Sequence, residues 1–488
     1  MISKALLTDL YQLTMMQGLF KKNRHRTPCV FDRFYRKNPF NGAYTVVAGL
    51  EHVIDYLEQL GFNDDDIAYL RSTGIFDDDF LEYLKGLRFT GSVMAAPEGT
   101  VAFPGEVLLR VKAPKDEAML IETPISMYLN HESLIATKAR RIRSVAGHDS
   151  LAEFGMRRAQ GTSAAVYGAR ATIIGGFNGT SNIYSAAQYG IKPVGTMAHS
   201  WIMSFGDELT AFRAYAEQYE NMLVLLVDTY DTLHKGVPAA IQVFKEVRER
   251  RGGTMPKGYG IRLDSGDLAY LSQEARKMLD AAGFTDAVIF ASNDLDEYTI
   301  ADLKHQGCAI SSWGVGTKLI TADGTPALGG VYKLAGQWAD DDTFTPTIKF
   351  SDNIEKVTNP GFKKVLRLIN RRNHKLIGDL ICLDEETIDT TKPYRFENPQ
   401  YPWKSTQLEA NSFDVVPLLQ PIFEEGRLVY HKPALQDIVD YAESQMHLLW
   451  PEYFRLQRAP VAKVNISKAV FELRSRMLLQ KVGHEIEK

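Results

Sequence analysis

The sequence is short of the features that mark secreted, membrane-bound or nucleic-acid-binding chains. Only three cysteines stand in 488 residues, Cys29, Cys308 and Cys382. They are far apart, odd in number and outside any Cys-x-x-Cys pair, which speaks against a disulfide-stapled secreted domain and for a reduced, cytoplasmic protein. No stretch approaches the ~18 uninterrupted apolar residues of a spanning helix. Asp9 interrupts the apolar N-terminus, which lacks a basic segment, so neither a secretory leader nor a membrane span is expected. Charge is nearly balanced, 56 basic against 60 acidic residues for a net of −4, and such a chain has no global field to draw nucleic acid or a membrane surface. Any anionic ligand has to be caught by a local cluster. Short-period repeats and low-complexity tracts are also missing.

What is present is an ordinary globular composition, 45% hydrophobic and 24% charged. The length suits roughly three domains of ~150 residues, or one large barrel with an appended domain. Thr8 and Asp9 signal a helix start, followed by Leu10, Leu13, Met16 and Leu19 at helical spacing with Tyr11 at the stripe's edge. Residues 30–47 read as two strands of a hairpin, 49–60 as a helix, and 92–112 as short strands around Pro-Glu-Gly and Pro-Gly turns. A long helix over 117–146 ends in Lys138, Arg140, Arg141 and Arg143, which suit a solvated helix end as well as phosphate binding. From 150 to 320 strands alternate with helices of ~10–15 residues, the mark of βα units on a parallel sheet. The expected fold is α/β: an irregular parallel barrel of about six or seven strands, complete or not, plus a second α+β domain built from both chain ends. The expected boundaries are 1–130 for the N-terminal α+β part, 131–323 for the barrel, and 324–488 for a C-terminal region, ending in helices over 433–482, that completes the α+β domain and packs on the barrel.

Polar clusters recur where these strands end. GTMAHSW, 195–201, sets His199 among small residues that let a bulky ligand approach. EFGMRR supplies the Phe154 ring beside Arg157 and Arg158, whose guanidinium groups can grip phosphate or carboxylate. VDTYDT supplies Asp228 and Asp231; IRLDSGD supplies Arg262, Asp264, Ser265 and Asp267; SND supplies Ser292, Asn293 and Asp294. WGVGTKL offers Gly314, Gly316, Thr317 and Lys318 in a loop like the phosphate cradles that barrels build late in the chain. Each has a structural alternative: a core histidine at 199, a helix cap at Asp228 or Asp264 worth about 1 kcal/mol, a plain ion pair at Arg157. Their joint placement on one face favours a site for a flat anionic ring and a phosphorylated sugar, with carboxylates able to hold Mg²⁺.

TDLYQLTM, EFGMRRAQG, GFNGTSN, GTMAHSW, VDTYDT, IRLDSGD and WGVGTKL, in this order over residues 8–319, resemble the nicotinate phosphoribosyltransferase family. The resemblance covers about two thirds of the chain. It implies a type II phosphoribosyltransferase fold and a homodimer with shared active sites. It also implies formation of nicotinate mononucleotide and pyrophosphate from nicotinate and phosphoribosyl pyrophosphate, in NAD biosynthesis. ATP is the implied co-substrate and Mg²⁺ the implied metal, with ATP hydrolysis coupled through a phosphohistidine at His199. Carried onto this sequence, Phe154 and Tyr11 sandwich the pyridine ring, with Tyr11 from the partner subunit, and Arg262 and Thr196 lie near the nicotinate carboxylate. Arg157, Asn293, Gly314, Gly316 and Thr317 hold phosphoribosyl pyrophosphate. Asp264 serves the ribose hydroxyls or Mg²⁺, and Asp228 helps with the metal.

Ser181 decides between acid and amide. The related nicotinamide enzyme carries an aspartate at the matching position; a serine hydroxyl donates to a carboxylate that an aspartate would repel. Nicotinamide transfer, a Schiff-base aldolase using Lys318 and a silent phosphosugar-binding barrel are the competing readings.

Overall fold

The computed structural model describes residues 1–488 apart from 340, 352, 354, 355, 487 and 488. The chain divides into two compact units, one of Met1–Thr137 with Ala327–Lys488 and one of Lys138–Pro326. The fold is mixed α/β, with a parallel sheet in the second unit and a strand-rich first unit.

In the first unit a seven-stranded antiparallel sheet runs in the order Phe344–Pro346, Gly330–Trp338, Pro28–Tyr35, Leu109–Pro114, Ser92–Ala95, Gln420–Glu424, Arg427–Leu428. The expected hairpin over 30–47 does not form. Pro28–Tyr35 is buried along nearly its whole length, so both its edges need partners, and it takes Gly330–Trp338 and Leu109–Pro114. Thr45–Val46 pairs with Val101–Ala102 instead. A four-stranded sheet follows, Phe413–Pro417, Lys363–Asn370, Leu376–Leu383 and Val464–Ile466. The last of these strands lies inside the stretch that reads as closing helices; Pro451 and Pro460 free it from helix, and it runs parallel to Leu376–Leu383.

The second unit holds a six-stranded parallel sheet in the order Gly179–Thr180, Ser150–Glu153, Ser312–Val315, Val288–Ala291, Gly260–Leu263, Val224–Leu226. Helices such as Val237–Arg250, Leu268–Ala281 and Glu297–His305 alternate with these strands. Leu225, Ile261, Ile289 and Trp313 are fully buried in its core, each aliphatic one worth about 1.5–3 kcal/mol of transfer free energy. At Gly260 a Cβ would stand 1.9 Å from the Val288 carbonyl oxygen, so only glycine lets the two strands meet. The strand expected before GTMAHSW is reduced to a single bridge from Pro193 to Thr180, because proline cannot donate to a ladder. Because every strand points the same way, all their C-terminal ends emerge on one edge of the sheet.

The basic run on the helix Glu122–Ala146 is neither solvated nor a phosphate site. Lys138 and Arg141 are buried and share Glu297, at 2.7 and 2.9 Å. Arg143 donates to the carbonyls of Gly176 and Asp149, at 2.8 and 2.6 Å. The charges tie this helix to the helix Glu297–His305 and to the loops at Gly176 and Asp149. No helix among the described residues is long and apolar enough to cross a membrane.

Candidate active site

The strand ends of the second unit enclose a cavity of about 740 Å³. Phe154, Arg157, Ser181, His199, Arg262, Asp264, Asn293, Gly314, Gly316 and Thr317 all line it, as do Met156, Arg158, Ser292 and Asp294. Parallel topology is the reason that residues more than 160 positions apart converge, since each lies in the C-terminal half of a strand or in the segment that follows one.

Arg262 organises the floor. Its Nε donates to the Ser292 hydroxyl at 2.9 Å, Nη1 to Thr196 Oγ1 at 2.8 Å and the Met197 carbonyl at 3.1 Å, and Nη2 to Asp264 Oδ1 at 2.9 Å. Of its five N–H groups one on Nη2 is left for a ligand. The guanidinium carbon stands 5.8 Å from the Phe154 ring centroid, within cation–π range. Asp264 Oδ1 also accepts from Ser292 Oγ in a short hydrogen bond. Burial on its own would raise the Asp264 carboxyl; the Ser292 hydroxyl, Arg262 and His199 outweigh it and hold the group below the ordinary carboxylate range.

Asp228 lies beneath. Its Oδ2 accepts the Asp264 amide at 2.8 Å and the Ser265 hydroxyl at 2.6 Å, while Oδ1 is buried without a hydrogen-bond partner among the described residues. It is thus more than a helix cap. His199 opens the helix His199–Phe205 with its side chain 39% exposed, which excludes a core histidine. Its Nδ1 meets Thr229 Oγ1 at 3.1 Å.

Phe154 stacks on Phe290 at a centroid distance of 5.6 Å and an interplanar angle of 23°. A Cβ on Gly314 would stand 2.6 Å from the Phe154 ring, so this glycine makes room for the ring from within the strand Ser312–Val315. Gly316 precedes the short helix Thr317–Ile320. Arg157 and Arg158 sit on the turn Met156–Arg158 and make no ion pair among the described residues, so both are available to a phosphate. Asn293 and Asp294 adopt φ of 90° and 38°, left-handed conformations that non-glycine residues accept at functional loops.

Among the sequence candidates Thr196, Asp228, Tyr11 and Lys318 lie apart from the lining, as do Asp231, Ser265 and Asp267. Thr196 Oγ1 accepts from Arg262, and Asp228 from the Asp264 amide. Tyr11 is on the helix Leu10–Lys21 of the first unit, 49% exposed. Lys318 is not a Schiff-base lysine: its ammonium donates to Asp296 at 2.9 Å, and that bond raises its pKa, keeping it protonated and non-nucleophilic. Sequence reading missed Glu153, Thr180 and Thr229. Glu153 had a signal, a carboxylate inside the apolar run SLAEF, where burial must be compensated.

Three family models cover most of the chain: the nicotinate phosphoribosyltransferase N-terminal domain over residues 6–130, the nicotinate phosphoribosyltransferase family over 150–367, and the nicotinate phosphoribosyltransferase C-terminal domain over 362–474. The chain is 47% identical to the nicotinate phosphoribosyltransferase of Bacillus subtilis, over 96% of this chain and 93% of that one. It is 41% identical to a nicotinate phosphoribosyltransferase of Mycobacterium tuberculosis, over 93% and 89%. Its fold is similar to the crystal structure of human nicotinic acid phosphoribosyltransferase, with a TM-score of 0.81 at 28% identity, over 97% of this chain and 100% of that one.

Proposed function

The chain belongs to the nicotinate phosphoribosyltransferase family, and on that premise we propose how its cavity works. The enzyme forms nicotinate mononucleotide and pyrophosphate from nicotinate and phosphoribosyl pyrophosphate. One observation carries the assignment of parts: a single cavity is lined by an aromatic face, unpaired arginines, an ionised aspartate and an accessible histidine. We read the six-stranded parallel sheet that builds it, with the Pro193 bridge beyond Gly179–Thr180, as an irregular barrel left open beside Val224–Leu226.

Nicotinate stacks on Phe154, its carboxylate taking the free Arg262 N–H and the Ser181 hydroxyl. Phosphoribosyl pyrophosphate is held by Arg157, Asn293, Thr317 and the backbone at Gly314 and Gly316. As the C1–O bond to pyrophosphate breaks, positive charge grows on the ribose ring and the anionic Asp264 stabilises it. The pyridine nitrogen then forms the new bond to C1; this step needs position, not a base. Asp264 Oδ2 and Asp228 Oδ1, the latter buried and without a hydrogen-bond partner among the described residues, are the carboxylate oxygens that would hold Mg²⁺. No group of three or more protein ligands occurs among the described residues, so substrate phosphates would complete the shell. Bound there, the ion supplies charge neutralisation for the departing pyrophosphate.

ATP enters at His199. A proton on Nδ1 donated to Thr229 leaves the Nε2 lone pair to attack the γ-phosphorus; the P–O bond to ADP breaks, and water later returns the phosphoryl group as phosphate. The phosphohistidine brings charge and acceptor oxygens that order the site. Two copies share their sites, with Tyr11 of one closing the ring clamp of the other; its exposure beside exposed Leu7, Leu10 and Met15 supports an apolar contact face.

The test is pyrophosphate release with nicotinate or nicotinamide, with and without ATP. Nicotinate-dependent release that ATP stimulates is expected, and the stimulation is absent in His199→Ala. No ATP effect in the wild type overturns the phosphohistidine while leaving the transferase standing.

A further inference from the structure

Beneath the ring clamp lies a carboxylate that the chemistry above does not use. Glu153 is fully buried at the end of the strand Ser150–Glu153, and no lysine, arginine or histidine pairs with it among the described residues. A buried anion without a countercharge is expensive and persists only where hydrogen bonds compensate. Two do. One oxygen accepts the Gly155 amide in a short bond, and the other accepts Thr180 Oγ1 at 2.5 Å. Burial pushes the Glu153 carboxyl up, and the Thr180 hydroxyl and Gly155 amide only partly offset this.

The partners of those bonds matter more than their number. Gly155 follows Phe154, so the first bond fixes the turn that presents the ring. Its glycine is required, because a Cβ would stand 2.5 Å from Ile320 and 2.9 Å from the Glu153 carboxylate. Thr180 precedes Ser181, and its Oγ1 also accepts the Asn182 amide at 3.0 Å, so the relay passes from Asn182 through Thr180 to Glu153 and straddles Ser181. The Ser181 amide itself donates to the Glu153 carbonyl at 2.9 Å. One residue therefore ties together the two strand ends that carry the aromatic face and the hydroxyl of the nicotinate pocket.

We propose that Glu153, acting through Thr180 and the Gly155 amide, is the positioning residue that sets Phe154 and Ser181 against each other and so governs nicotinate affinity. The proposal rests on the functional reading above. A carboxylate is suited to this because it accepts from both sides at once, which an amide cannot do.

The experiment compares steady-state KM for nicotinate and for phosphoribosyl pyrophosphate in wild type, Glu153→Gln, Thr180→Val and Thr180→Ser, with melting temperatures alongside. Glu153→Gln and Thr180→Val are expected to raise the nicotinate KM roughly tenfold, the loss of one bond to a charged acceptor. The phosphoribosyl pyrophosphate KM stays within about twofold, since neither Phe154 nor Ser181 is among the residues that hold that substrate. Thr180→Ser restores the hydroxyl and brings the nicotinate KM back. Should Glu153→Gln fail to fold, the near-isosteric Thr180→Val carries the same comparison with the carboxylate intact. An unmoved nicotinate KM, an equal rise in both KM values, or no rescue by serine overturns the proposal. Wild-type protein that releases no pyrophosphate with nicotinate overturns the functional reading instead, and the proposal falls with it.

Discussion

His199 and Asp264 face each other without bonding: Nε2 stands 3.6 Å from Asp264 Oδ2, beyond hydrogen-bond range, while Nδ1 is engaged by Thr229 at 3.1 Å. The histidine is held by one nitrogen and open at the other. A Ser-His-Asp relay would need the reverse, a carboxylate bonded to the ring to orient it as a base. Here the carboxylate is committed to Arg262 and Ser292.

Thr229→Val removes the hydroxyl that orients the ring. ATP-stimulated pyrophosphate release is expected to fall about five- to tenfold, the worth of one hydrogen bond, with ATP-independent turnover little changed. Parallel assays of ADP and pyrophosphate check this; equal loss of both activities contradicts it.

Asp264 is held below the ordinary carboxylate pKa once folded. Such a group contributes stability in full above its unfolded value of about 3.9, and loses it as pH falls through the lower folded value. The difference in melting temperature between wild type and Asp264→Asn should therefore be flat from neutral pH to about pH 5 and shrink below about pH 4. Melting curves over that range decide it.

Gly314→Ala puts a methyl 2.6 Å from Phe154 and 2.8 Å from Phe290. Displacing the stacked rings is expected to cost about 1–3 kcal/mol of stability. Nicotinate KM rises with it, measured beside denaturant unfolding.

Ser181→Asp places an acceptor where a carboxylate ligand needs a donor. The ratio of kcat/KM for nicotinate over nicotinamide is expected to drop at least roughly tenfold. A variant that keeps the full preference shows that specificity lies elsewhere.

Glu297→Gln leaves Lys138 and Arg141 buried around a neutral partner. Breaking a buried ion cluster this way costs about 3–5 kcal/mol, read as a lower unfolding midpoint with an unchanged slope.

The alternation of strands and helices over 150–320 was legible because each period is local: apolar runs such as LVLLV and AVIF read as buried strands, and amphipathic stretches between them read as helices. The gathering of these residues around one cavity was legible for a related reason. Parallel strands put their ends on one edge whatever their order, so polar clusters after successive strands belong together. Partnership over long distances was not legible. Nothing near Pro28–Tyr35 reveals that it pairs with Gly330–Trp338, about three hundred residues on. Nor does the basic run at 138–143 reveal Glu297.

By itself the sequence determined the residue chemistry of the cavity, the family and hence the reaction, since these depend on which side chains follow which strands. Only the tertiary structure decided how those side chains are spent. It committed four of the five Arg262 donors, left Asp228 Oδ1 without a hydrogen-bond partner among the described residues, turned Lys318 into an ion pair, and buried Glu153 between Phe154 and Ser181. Charge and hydrogen bonding act through space over a few ångströms, and those distances exist only once the chain has folded.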